Sequence, residues 1–145
     1  MSLPKPEPGL VIRYSYLWLR EHRAGRDEGT KDRPCAIVLA LLDGNNDQNV
    51  LVVPITHSPP ELAADAMELP LAVKQHLGLD DARSWIDYSE SNLFRWPGPD
   101  LRQIAGREEG SVAYGFLPPK LFGELRRRYV ALETAKRTGR VPRRD

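Results

Sequence analysis

The chain has 145 residues, room for one domain with a core of its own, so it needs no disulfide or metal to hold it together. Charged residues make up 28% and hydrophobic ones 41%, the balance of an ordinary globular domain. A net charge of +1 excludes a polycation that binds nucleic acid through bulk charge, so any such partner must be held by a local patch.

Residues 1–8 are proline-rich and read as a loose N-terminus. From Gly9 to Leu19 the apolar, β-branched and aromatic residues Leu10, Val11, Ile12, Tyr14, Tyr16, Leu17 and Trp18 predict a long strand. Arg20 to Asp32 is rich in charge and holds two glycines, which predicts a solvent-facing loop. A second strand is expected over about 34–42 and a third over about 49–55, joined by the turn cluster Asp43-Gly44-Asn45-Asn46-Asp47. Met67-Glu68-Leu69 reads as a short strand, and 71–77 as one or two helical turns stopped by Gly78. Two further strands are expected at 84–89 and 93–96, the second ended by Pro97-Gly98-Pro99.

The clearest helix opens at Pro118-Pro119, because first-turn amides lack an internal acceptor and proline loses nothing there. Leu121, Phe122, Leu125, Tyr129 and Leu132 fall on one face of a 3.6-residue period. Past Thr134 the apolar face stops, and 135–145 reads as a basic, frayed tail behind a single domain over 9–134. The pattern predicts a mainly β (α+β) fold, a small SH3-like barrel with a C-terminal helix. The turn at 43–47 is too short for a parallel crossover.

No apolar stretch approaches the ~20 residues of a membrane span, and Met1 to Pro8 lacks the apolar core of a signal peptide. Cys35, the one cysteine, sits in an apolar run and reads as a small buried hydrophobe. A reducing, cytoplasmic setting is the expectation. His22, His57, His76 and Cys35 show no metal-ligand spacing, so neither metal nor cofactor is expected.

The chemistry-bearing residues cluster around the second and third strands. Arg33 stands at the mouth of one, and Thr56 and His57 at the exit of the next. If the strands pair, a guanidinium, a hydroxyl and an imidazole meet in one cleft, a set suited to a phosphodiester. In Glu28-Gly29-Thr30-Lys31-Asp32-Arg33, Glu28 reads either as a base facing Arg33 or as part of a solvated charge run. His57 reads as a general acid or base, since a histidine ordinarily titrates near neutrality, or as a backbone partner at the strand end, as does Thr56. Asp87 and Glu90 could complete an acidic lining; equally, alternation puts Asp87 on an exposed strand face. Trp85, Tyr88, Phe94 and Trp96 could stack on bases or fill the core. Arg126-Arg127-Arg128, Lys136, Arg137, Arg140, Arg143 and Arg144 form a basic end that either contacts phosphates or is simply solvated.

The order of these segments resembles the MazF/PemK (Kid) family of toxin–antitoxin growth inhibitors. The matching parts are Pro8-Gly9-Leu10-Val11-Ile12, the charged loop with Glu28, Arg33-Pro34-Cys35-Ala36-Ile37-Val38, Val52-Val53-Pro54-Ile55-Thr56, Gly78-Leu79-Asp80, Ser84-Trp85-Ile86-Asp87 and the closing helix. The resemblance implies a dimeric SH3-like barrel of the MazF/PemK/CcdB type that cleaves single-stranded RNA without metal and leaves a 2′,3′-cyclic phosphate. It also implies a small antitoxin protein laid over the RNA groove. By position, Arg33 would stabilise the phosphorane, Glu28 would be the base, Thr56 would bond the phosphate and Asp87 would be the acidic residue of the later strand. Lys31, Tyr88 and Arg95 are the further RNA contacts expected. Three departures stand out: His57 where relatives carry serine or threonine, no cation after Asp87 until Arg95, and the stretch 95–101. A non-catalytic interaction module, or a gyrase-directed inhibitor of the same fold, is the alternative.

Overall fold

The computed structural model describes residues 3–42 and 48–143; the 43–47 turn, expected from its glycine and asparagines, lies outside the described residues. The described residues fold as a mainly antiparallel sheet of eight strands with three α-helices. The elements are β1 (Leu10–Tyr14), α1 (Leu19–Arg23), β2 (Arg33–Leu42), β3 (Gln48–Thr56), β4 (Ala66–Glu68), α2 (Leu71–Leu77), β5 (Trp85–Asp87), β6 (Glu90–Arg95), β7 (Ala113–Phe116), α3 (Pro119–Thr134) and β8 (Gly139–Pro142). Strand order is β4-β5-β3-β2-β1-β7; β6 pairs with β3 beyond β5, and β8 pairs parallel to β6.

Alternation along the strands makes two cores, one on each face of the sheet. Val11, Ala36, Val38, Leu51, Val53 and Ile55 point to one face, where α3 covers them with Leu125, Tyr129 and Leu132 and α2 adds Leu77. Ile12, Tyr14, Cys35, Ile37, Val50 and Val52 point to the other, where Tyr16, Trp18 and Phe94 close over them. The uninterrupted apolar runs of β2 and β3 have this cause, since both of their faces are buried. A register shift between Ile37 and Leu39 ends the two-sided burial, and Leu39, Leu41 and Leu42 are exposed.

Several expectations need correction. The first strand stops at Tyr14, because Ser15 and Tyr16 leave the ladder; residues 16–18 stay buried but outside the sheet. The expected loop after it opens as α1, with the Glu21 carboxylate accepting from the Trp18 amide at 3.1 Å. β7 carried no sequence signal, its four residues being short and interrupted by Gly115.

The stretch past Thr134 does not fray: Gly139–Pro142 is β8, and Val141 is fully buried. Arg143 anchors it. Its Nη1 donates to the Ser15 carbonyl at 2.7 Å and to Asn92 Oδ1 at 3.0 Å, and its Nη2 lies 3.0 Å from Asp100 Oδ2. A basic composition reads as a solvated tail only until one of its cations finds a buried carboxylate. Among the described residues no helix is long and apolar enough to cross a membrane.

Candidate functional site

The site begins with strand pairing. β2 and β3 run antiparallel with Cys35 opposite Pro54. Two residues further along, that register sets Arg33 beside Thr56, and alternation puts both side chains on the same face. His57 follows just past the end of β3. On its far side β3 is flanked by β5, with Thr56 opposite Trp85.

Two clefts open at this sheet end. One, of about 510 Å³, is lined by Arg33, Thr56, His57, Lys31, Asp87 and Ser89, and also by Glu61 and Asp65. The other, of about 350 Å³, is lined by Arg33, His57, Lys31, Lys74, Asp80 and Tyr114. Lys31, Arg33 and His57 belong to both, so the clefts meet at these three cations or potential cations.

Arg33 is only 9% exposed, and its buried Nε has no hydrogen-bond partner. Its guanidinium lies 5.0 Å above the Trp18 ring, which Arg20 also approaches at 5.0 Å. Burial pulls its pKa below an arginine's ordinary value, partly offset by Cys35 and Glu21. Among the described residues no carboxylate forms an ion pair with it. A desolvated guanidinium with donors unused is a costly arrangement that a bound anion relieves.

Thr56 is half-buried, and its Oγ1 accepts from the Ser58 amide at 3.2 Å. Capping the strand end in this way leaves the hydroxyl proton to donate to a ligand. Asp87 Oδ1 accepts from the Ser89 amide at 3.0 Å and the Ser89 hydroxyl at 2.6 Å, fixing the carboxylate at the cleft wall.

His57 is exposed, and its Nε2 lies 2.8 Å from Asp80 Oδ2. Lys74, the residue behind that carboxylate, carries no feature that sets it apart in the sequence. Yet α2 ends at Gly78, whose φ of 72° turns the chain back over the helix end, and the returning loop lays Asp80, Ala82 and Ser84 around the Lys74 ammonium. The one sequence hint was Gly78-Leu79-Asp80, a helix stop with an acid just behind it.

Three expected site residues are not brought here. Glu28 is exposed and lines neither cleft. The next residue explains its position: Gly29 is pressed so closely on the Tyr16 carbonyl that an added Cβ would sit 2.2 Å from the oxygen. Tyr88 is 1% exposed and packs in the α3-side core, so it offers no face to a base. Arg95 is exposed at the opposite end of β3, across from Asn49 and seven residues, or ~23 Å, from Thr56. Phe94 stacks on Tyr14 with centroids 4.6 Å apart, and Trp96 packs beside it, so neither serves as a base platform. The basic end is largely paired off: Arg127 and Arg128 with Glu124, Arg137 with Asp65, Arg140 with Glu133. Cys35 is fully buried, and burial pushes its thiol pKa up, which makes it an inert core residue.

Among the described residues no group of three or more His, Cys, Asp or Glu side chains could hold a metal ion. The residues assembled at the two clefts are a buried guanidinium with no ion-pair partner among the described residues, a hydroxyl donor, an imidazole and a hydrogen-bonded carboxylate. No family model, curated protein or solved structure matches the chain.

Proposed function

We propose that the chain is a metal-independent endoribonuclease of MazF/PemK type, the toxin of a type II toxin–antitoxin pair, built on a small SH3-like barrel. The reading rests on the segment order set out above and, above all, on one observation: Arg33 is buried, lacks an anionic partner among the described residues, and lines a cleft beside Thr56.

In this reading the scissile phosphate of a single-stranded RNA sits against Arg33 and Thr56. The ribose 2′-oxygen attacks phosphorus and the P–O5′ bond breaks, giving a 2′,3′-cyclic phosphate and a 5′-hydroxyl. The guanidinium stabilises charge that grows in the phosphorane, the role of an oxyanion-hole donor. Lys31, at the junction of both clefts, contacts a flanking phosphate. A small acidic antitoxin segment would compete for the same cations, and the working form is a homodimer.

Incubation with a long single-stranded RNA, with and without chelator, followed by end mapping, tests the proposal. Cyclic-phosphate ends at an unchanged rate in chelator are expected; intact RNA at high enzyme concentration would refute it. The position of Glu28 outside both clefts favours a second reading, in which the same groove binds an anionic partner without cleaving it, as an interaction module or a gyrase-directed inhibitor. Growth arrest on expression with intact RNA selects that reading.

A further inference from the structure

His57 takes part in a second arrangement that phosphate binding leaves unused. Asp80 presents one carboxylate oxygen to His57 Nε2 at 2.8 Å and the other to Lys74 Nζ at 2.5 Å. Lys74 is 2% exposed, and an ammonium has three protons to place. All three find acceptors here: Asp80 Oδ1, the Ala82 carbonyl and Ser84 Oγ, the last at 2.7 Å. A buried cation engaged in this way cannot swing. Asp80 is further fixed by the Ala82 amide, which donates to it at 3.1 Å.

The bond from Lys74, seconded by His57, holds the Asp80 carboxyl below the usual carboxylate range, so it is an anion at neutral pH. An ionised carboxylate only accepts hydrogen bonds, so the ring nitrogen in contact with it must carry the proton. A neutral imidazole has one such proton, which leaves Nδ1 with a lone pair. The His57 side chain lines both clefts, beside Arg33.

We propose that Lys74 and Asp80 are positioning residues that hold His57 as its Nε2–H tautomer, making Nδ1 the general base toward the ribose 2′-hydroxyl. The inference rests on the nuclease reading and supplies the base that Glu28, outside the clefts, does not. Nδ1 takes the 2′-hydroxyl proton as the O2′–P bond forms. The P–O5′ bond breaks with its electron pair on the 5′ oxygen, and that oxygen takes a proton from water. Asp80 stabilises the resulting imidazolium without itself being protonated, and Lys74 keeps Asp80 in place.

Nitrogen-15 NMR of the imidazole reads the tautomer directly, without reference to activity. The wild-type protein is expected to hold neutral His57 as Nε2–H, and Asp80→Ala is expected to mix the two tautomers. Asp80→Ala removes the charged partner of the buried Lys74 ammonium, so it and Lys74→Met are each checked for a native melting transition, and Lys74→Met is expected to mix the tautomers too. In RNA cleavage, His57→Ala and Asp80→Ala are each expected to lower kcat by about 10²-fold with KM little changed. The double variant should fall no further, because the residues act as a unit.

An active wild-type enzyme whose His57 carries its proton on Nδ1, or an Asp80→Ala variant with the tautomer or kcat unchanged, overturns this inference alone. A wild-type protein that leaves RNA intact overturns the nuclease reading, and the base role falls with it.

Discussion

Replacing Arg33 by alanine separates function from folding. Arg33 is 9% exposed and, among the described residues, has no ion-pair partner, so its loss strands no buried carboxylate. What disappears is stacking on Trp18, worth roughly 0.5–2 kcal/mol. What is gained is relief from burying a cation whose Nε is unused, a term of opposite sign and similar size. The two nearly cancel, and stability is expected to change by no more than ~1 kcal/mol. Transition-state stabilisation behaves otherwise: losing one such donor costs about 2.7–4 kcal/mol, a rate loss of about 10²–10³.

Anion binding checks the same reasoning without any turnover. Inorganic phosphate at ten times its Kd stabilises the native state by ~1.4 kcal/mol. For a domain of this size that raises Tm by roughly 3–6 °C. Calorimetry of wild type and Arg33→Ala across a phosphate titration should show the rise in the first and not in the second. An equal rise in both, or a folded Arg33→Ala variant that cleaves RNA at the wild-type rate, refutes the assignment of the anion site.

Four further outcomes follow from the packing and charge. Leu125→Ala removes a fully buried contact between α3 and the sheet and should cost about 2–5 kcal/mol in urea unfolding. Arg143→Met breaks the buried contacts to Asp100, Asn92 and Ser15 and should cost about 3–5 kcal/mol, with faster amide exchange along β6 and β8. Gly29→Ala forces the loop off the Tyr16 carbonyl and should lower Tm. Burial raises the Glu90 carboxyl pKa, against the Leu19 amide and Tyr16 hydroxyl that lower it. The native state therefore binds this proton more tightly than the unfolded chain does, and Glu90 favours folding while protonated. That contribution is lost as pH rises from the ordinary carboxylate value through the raised one. Glu90→Gln should flatten this part of a Tm-against-pH curve, and an unchanged curve would remove Glu90 from the account.

What the sequence made legible was whatever depends on local period. The apolar runs of β2 and β3, the α3 stripe and the Gly78 stop all carry their cause within a few residues. The convergence of Arg33 with Thr56 was readable because it needs only one antiparallel pairing. Contacts made at long range were not readable. Arg143 meets residues 128 and 51 positions away, at Ser15 and Asn92, and no tail composition announces that. Lys74 looked like any exposed helix lysine until the returning loop closed over it. The placement of Glu28 outside both clefts and of Tyr88 in the core was not readable for the converse reason. A loop residue's reach is set by where Gly29 is pinned, and the face of a residue flanking a three-residue strand is fixed by what packs on it.

The two-sided burial of β2 and β3 bears on how the molecule opens. Each strand is a wall common to both cores, so neither core can melt while the other stays intact. Slow-exchanging amides should be concentrated in these two strands and report a single cooperative unit. Arg33 and Thr56 stand at the ends of that unit. The groove is thus stiff along the edge that carries Arg33 and Thr56, the residues proposed to hold the anion.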